Sequence, residues 1–179
     1  MSNYVAKPRL GFAEAVKLAC GRLGDFNGRS RRSEYWWFYL AYGIGVLVVA
    51  SVLGAVLPLL YQEIVSELLA LLLLAVTVRR LQDTGKSRWW AIGQWLLSFG
   101  GGIYIVLQME DLNTVNPDPG AVLALFSNPV FLTLMFLNFV VSVCILIFTL
   151  LDSKPGENQY GESPKYIEQA ETSSEKSNF

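Results

Sequence analysis

Seven charged residues form two short clusters whose types and spacing suit chemistry. Arg29, Arg31, Arg32 and Glu34 lie in GRSRRSEYWWF, and Arg79, Arg80 and Asp83 lie in RRLQDTGKSRWW. Guanidinium groups bind carboxylates and phosphates bidentately, so these clusters offer cross-helix ion pairs or capture of an anionic headgroup. Glu34 is expected to pair with Arg79 or Arg80, and Asp83 with an arginine of the first cluster. Catalysis is poorly provided for. The chain has no His, which removes the commonest general base and metal ligand and every Ser-His or Cys-His pair. Cys20 stands in a polar segment and Cys144 in an apolar run. Both are expected as free thiols, because a disulfide needs matched positions and a Cys-ligated metal needs more ligands. Asp83-Thr84-Gly85 matches the triplet of aspartic proteases, but that chemistry needs two carboxylates sharing a proton, and the triplet has no second copy. No catalytic residue, metal or cofactor is expected.

A second set of polar residues falls inside apolar runs. Gln94 and Ser98, and Asn138 and Ser142, are each spaced four apart, which makes one polar stripe per helix. Such stripes suit interhelical hydrogen bonds or a polar path. Glu67 precedes Arg79 by twelve residues, about 18 Å along a helix, and its side of the chain has no Lys or Arg. It is expected to reach for the interface, to be protonated, or to serve a cation-linked role.

The elements that must position these residues are helices long enough to cross a bilayer. Hydrophobic residues make up 53% of the 179 residues and charged ones 16%, well below a soluble domain. Four runs approach the roughly 20 apolar residues a span needs: Trp36–Leu60, Gln62–Val78, Trp89–Leu107 and Val130–Leu151. The polar stretch ahead of the first run argues for an uncleaved anchor rather than a signal peptide.

All 14 Lys and Arg fall in three segments: seven before the first run, four between the second and third, and three after the fourth. The two remaining connections carry Glu63, Glu67, Glu110, Asp111 and Asp118 instead. The positive-inside rule then puts both termini in the cytoplasm. Trp36, Trp37, Trp89 and Trp90 sit where an aromatic belt would. Gly100–Gly102, and the pairs Ala41/Gly45 and Ala50/Gly54, would permit close helix contact.

The predicted fold is therefore an all-α membrane protein with four transmembrane helices. Residues 1–35 form a cytoplasmic N-terminal segment, 36–151 the membrane domain, and 152–179 a tail expected to be disordered from about 162. Phe12, Val16, Ala19 or Cys20, and Leu23 recur at helical spacing, which predicts an amphipathic helix in the interface or packed on the bundle. Ser30 is expected as an N-cap and Gly85 as a helix stop. Asn113–Gly120 reads as turn chemistry, and Ala121–Phe126 as an apolar stretch at the interface before Asn128-Pro129 restarts the chain.

GRSRRSEYWWF, RRLQDTGKSRWW and PGENQYGESP, in this order around four runs, resemble the domain-of-unknown-function 805 family of bacterial membrane proteins. The resemblance covers about residues 12 to 165. Members usually carry His where this chain has Gln82, and Gly where it has Arg88; the first departure argues against a His-dependent role. The resemblance implies a bacterial inner-membrane location and no established activity.

The functional reading is a non-enzymatic structural or interaction component whose partners are membrane lipids with anionic headgroups, a second copy or another membrane protein. No nucleic-acid partner is expected. One alternative is a small oligomeric transporter or channel using Glu67 with the Gln94 and Asn138 stripe. The other is a lipid-headgroup enzyme at the inner face, relying on Asp83, Glu34 and arginines.

Overall fold

A computed structural model of the chain describes residues 3–108 and 119–169, which hold six helices and two short strands. Glu110, Asp111, most of the turn expected at Asn113–Gly120, and the last ten residues of the tail lie outside the described residues.

Helix boundaries follow from local chemistry. α2 (Arg32–Leu53) starts after Arg31, whose backbone is extended and whose side chain makes no cap. The expected N-cap, Ser30, instead points its hydroxyl at Glu34 Oε1, 2.8 Å away. The first apolar run, expected to continue to Leu60, ends as a helix at Leu53. Pro58 becomes the N-cap of α3 (Leu59–Asp83), because proline's fixed φ suits a helix entry. α3 closes as a Schellman motif. Gly85 N–H donates to Gln82 O at 3.0 Å and Lys86 N–H to Leu81 O at 2.8 Å. Gly85 sits at φ +74°, a conformation that other residues adopt only with strain.

α4 (Trp89–Gln108) follows after a short link. The apolar stretch expected ahead of Asn128-Pro129 is itself helical, α5 (Pro119–Ser127). α6 (Pro129–Leu150) is capped by Asn128, whose side chain accepts from Val130 N–H at 2.9 Å and Phe131 N–H at 3.4 Å, with Pro129 at the first helical position.

Three of the described helices, α2, α4 and α6, are long and apolar enough to cross a membrane. α3 is as long but carries Glu63, Glu67, Arg79, Arg80 and Asp83. It packs against α2, α4 and α6. The outward faces are apolar, with Leu47, Val48, Phe136 and Phe139 all exposed, as suits a lipid solvent rather than water.

α1 (Phe12–Cys20) packs on α2. Its buried face is Ala15 and Ala19, so small side chains allow close approach, and Ala19 joins Tyr35, Phe38 and Val76 in one core cluster. Phe12, on the apolar face that the spacing predicts, is exposed and meets Trp37 edge-on at 5.7 Å. Cys20 and Cys144 are free thiols.

The tail departs from the expected disorder after 162. β2 (Tyr166–Gln169) pairs antiparallel with β1 (Asn3–Ala6), in the register Tyr4 with Glu168 and Val5 with Ile167. The ladder continues as Lys7 N–H donates to Lys165 O at 2.8 Å. A polar, acidic composition gave no sign of this strand, because its partner lies at the other end of the chain.

Candidate functional site

The C-terminus of α3, the N-terminus of α2 and the C-terminus of α6 meet at one end of the bundle. There the two arginine clusters interlock. Arg29 Nε donates to Asp83 Oδ1 at 2.9 Å, and Arg80 Nη1 to Asp83 Oδ2 at 2.5 Å. The Ser153 hydroxyl donates to the same Oδ2 at 2.5 Å. Arg79 Nη2 stands 3.5 Å from Glu34 Oε1, while its Nε donates to Ser30 Oγ at 3.0 Å. Glu34, Arg79, Arg80 and Asp83 are all shut off from solvent.

Three guanidiniums meet two carboxylates here, and backbone carbonyls take up most of the remaining donors, though Arg79 Nη2 makes no hydrogen bond. Arg79 Nη1 reaches Arg22 O at 2.6 Å and Asp25 O at 2.5 Å. Arg80 binds Thr149 O at 3.1 Å and also Leu151 O. Arg32 binds Leu150 O at 2.9 Å. These are the orphan carbonyls at the end of α6, where the helix dipole favours a cation. Arg29 gathers the tail, donating to Gly156 O at 2.7 Å, Gly161 O at 3.2 Å and Lys154 O at 2.5 Å. PGENQYGESP is thus a loop folded over one guanidinium. It turns at Gly156 and Gly161, both at positive φ, and Tyr4 Oη lies 2.8 Å from where a Cβ on Gly156 would stand. Ser153 and these loop carbonyls were not legible as partners; the only signal was the density of turn residues beyond the last apolar run.

Burial pushes the Asp83 carboxyl up from its ordinary value, opposed by the Ser153 hydroxyl and by Arg80 and Arg29. Both Asp83 oxygens are taken by donors, so neither is free to accept a proton from a substrate. The arrangement is a lock that ties three helix ends to the tail.

A second basic feature lies beside it. Arg31 is turned away from the carboxylates and donates to Pro8 O at 2.6 Å and Lys7 O at 3.4 Å. With Lys7, Arg9, Arg32 and Lys165 it lines a recess of about 660 Å³, walled by Trp36 and Trp37. Asp152 is the one acid in the lining and is paired with Lys165 at 2.5 Å. Lys7 and Arg9 are exposed, and among the described residues no carboxylate pairs with them. Ser33 Oγ, also in the lining, is buried with no hydrogen-bond partner.

Further along the bundle, the polar stripes of α4 and α6 meet. Gln94 Nε2 donates to Asn138 Oδ1 at 2.9 Å and to Ser142 Oγ at 3.0 Å, and Asn138 Nδ2 to Ser98 Oγ at 2.9 Å. Glu67 faces the same region from α3, half-buried, with Oε2 unpartnered. Of the glycines expected at close contacts, Gly102 lies against the Glu63 side chain, whereas Gly45, Gly100 and Gly101 face open space.

The chain is similar to the inner membrane protein YhaI of Escherichia coli (strain K12), at 29% identity over 145 residues, 79% of this chain and 86% of that protein. It is similar to the inner membrane protein YhaH of the same strain at 32% identity over 109 residues, 52% of this chain and 86% of that protein. No solved structure matches it. The family described as "Protein of unknown function (DUF805)" matches residues 23–162, the stretch that holds both arginine clusters, the lock and the loop over Arg29. The chain belongs to the DUF805 family.

Proposed function

We propose that the protein is a four-span inner-membrane component, with both termini in the cytoplasm, that holds anionic phospholipid at its cytoplasmic rim and performs no chemistry of its own. The observation that carries this reading is the recess of Lys7, Arg9, Arg31, Arg32 and Lys165 beside Trp36 and Trp37. Its cations outnumber its one paired acid, and the first turn of α2 has no side-chain cap, so an anion there would meet free N–H groups and the positive end of a helix. The Ser33 hydroxyl adds an unused donor. Paired tryptophans belong at headgroup depth, and clustered basic residues on the inner face attract anionic lipid.

This reading moves the anion site away from Arg29, Arg79 and Arg80. All three are shut off from solvent; Arg29 and Arg80 donate to Asp83 and backbone carbonyls, and Arg79 Nη2, which makes no hydrogen bond, faces Glu34 at 3.5 Å, so they shape the rim without binding lipid. Support for the fourth span comes from α3, whose 25 residues would extend about 37 Å and whose charged residues other than Glu67 lie toward its two ends. Support for the orientation comes from the arginine lock, which gathers the basic residues flanking α2, α3 and α6 at one end. A headgroup enzyme is disfavoured because Asp83 and Glu34 are both already engaged and buried.

The test is lipid co-purification in mild detergent. Lys7→Ala combined with Arg9→Ala should release most bound phosphatidylglycerol and cardiolipin while leaving zwitterionic lipid. Unchanged anionic lipid in a folded double variant would overturn the reading.

A further inference from the structure

A cavity of about 390 Å³ opens among α2, α3, α4 and α6, at the depth where the polar stripes meet. That volume suits a small molecule. Glu67 lies in its lining with Oε2 buried and unpartnered. Gln94 lines it too. The Gln94 amide nitrogen is committed to Asn138 and Ser142, which leaves its Oε1 buried without a donor. Two unsatisfied acceptors, one of them a carboxylate, therefore share one cavity. Burying such groups without partners is costly, and a carboxylate at membrane depth more so.

No Lys or Arg is among the lining residues, and the ion pairs of the described residues all lie elsewhere. Glu63, one turn earlier on α3 and set against Gly102, adds a second negative charge nearby. The described residues hold no group of three His, Cys, Asp or Glu suited to a metal, and a hard metal ion would want several oxygen ligands.

Part of the remaining wall is aromatic. Tyr35, Trp36, Tyr39 and Trp95 line the cavity. Trp95 is braced by its indole N–H on Glu67 O at 3.4 Å and by stacking on Phe99 at 5.7 Å. Ring faces attract cations, most strongly where water is scarce.

We propose that this cavity binds a small organic cation, a primary ammonium on an apolar body, with its N–H groups on Glu67 Oε2 and Gln94 Oε1 and its body among Trp36, Tyr39 and Trp95. The ammonium supplies the charge Glu67 lacks and the donors both acceptors lack, and the apolar body fits the aromatic walls. The site is separate from the lipid recess at the rim, with which it shares the Trp36 side chain and no other lining residue.

The test uses the whole protein in mild detergent, titrated with 2-phenylethylammonium chloride and read by tryptophan fluorescence, with neutral 2-phenylethanol as the control. The expected result is a saturable change with the ammonium and none with the alcohol. Glu67→Gln should weaken binding roughly tenfold or more, the scale of one lost charge-assisted contact. Ala70→Leu, which fills the cavity and leaves the charge in place, should also remove the signal. Equal binding of ammonium and alcohol would overturn the proposal, as would full affinity in a folded Glu67→Gln protein. Should Glu67→Gln not fold, the ratio of ammonium to alcohol binding in the unaltered protein and the Ala70→Leu result decide the matter.

Discussion

Arg29 and Asp83 come from opposite sides of the α2–α3 hairpin and meet Nε to Oδ1 at 2.9 Å, both fully buried. Three carbonyls of the tail complete the Arg29 shell. Arg29→Ala would leave a buried carboxylate short of a partner and the tail carbonyls without donors. Breaking one side of such a pair costs about 3–5 kcal/mol. Unfolding by denaturing detergent in mixed micelles should show that loss. Arg29→Lys should not recover it, because an ammonium cannot span the acceptors that the planar fork reaches. A lysine variant as stable as the parent would refute the lock.

Gly85 is required twice over. Its φ of +74° disfavours a side chain, and a Cβ there would stand 2.6 Å from Lys154 Nζ. Gly85→Ala should destabilise by about 1–2 kcal/mol, from the left-handed conformation alone. Lys154→Ala should leave most of that penalty in place, since it relieves only the contact. Thermal unfolding of the two single variants and the double variant separates the terms.

The docked tail should hold over a defined pH window. The Lys165 ammonium bonded to Asp152 holds its carboxyl below the ordinary value, against partial burial and with help from the Ser153 N–H. Partial burial disfavours the Lys165 ammonium, and its bonds to Asp152 and Tyr166 outweigh that, so its pKa is raised. A lowered acid contributes above its ordinary value and loses that contribution as pH falls through the lowered one. A raised base contributes below its ordinary value and loses it as pH rises through the raised one. The pair therefore contributes across the neutral range and fails at both extremes. Asp152 is half exposed, so the effect is small and sensitive to salt. Amide protection factors at Tyr166–Gln169, corrected for the intrinsic pH dependence of exchange, should fall at acid pH in the parent and lose that dependence in Asp152→Asn.

The Gln94–Asn138 contact joins α4 to α6 at 2.9 Å. Interhelical hydrogen bonds within membranes contribute about 0.6 kcal/mol each. A double-mutant cycle of Gln94→Leu and Asn138→Leu should return a coupling near that size, far below the Arg29–Asp83 loss. A coupling of several kcal/mol would instead make the stripe the main clamp of the bundle.

Orientation can be read from the two thiols. Cys20 is exposed on α1, and Cys144 is half-buried within α6. With Cys144 changed to Ala, a membrane-impermeant maleimide should label Cys20 in inside-out vesicles and not in intact spheroplasts. Labelling from the outside would reverse the proposed topology.

What the sequence determined by itself is the apolar helices, the polar stripes on α4 and α6, and the crowding of arginines and acids near two helix ends. Hydropathy, helical period and charge are local quantities that follow from neighbouring residues. The Gly85 stop and the Asn128-Pro129 restart are local as well. The sequence also paired Glu34 with Arg79 or Arg80, and Asp83 with an arginine of the first cluster; tertiary structure decided which of these each acid takes, Arg79 and Arg29. Arg79 and Arg80 are adjacent in sequence, yet one turns to Glu34 and the link between α1 and α2 and the other to Asp83 and the end of α6, because a helix points successive side chains about 100° apart. Arg31, extended ahead of α2, and Arg32, its first residue, also take different partners. The early end of α2, the loop over Arg29 and the β1–β2 pairing depend on contacts between distant segments, and composition carries no record of those. The two arginine clusters were visible as a surplus of charge. That Arg29 and Arg80 are spent on Asp83 and backbone carbonyls, while Lys7 and Arg9 line the recess with no carboxylate paired to them, is a consequence of where the helices end in space.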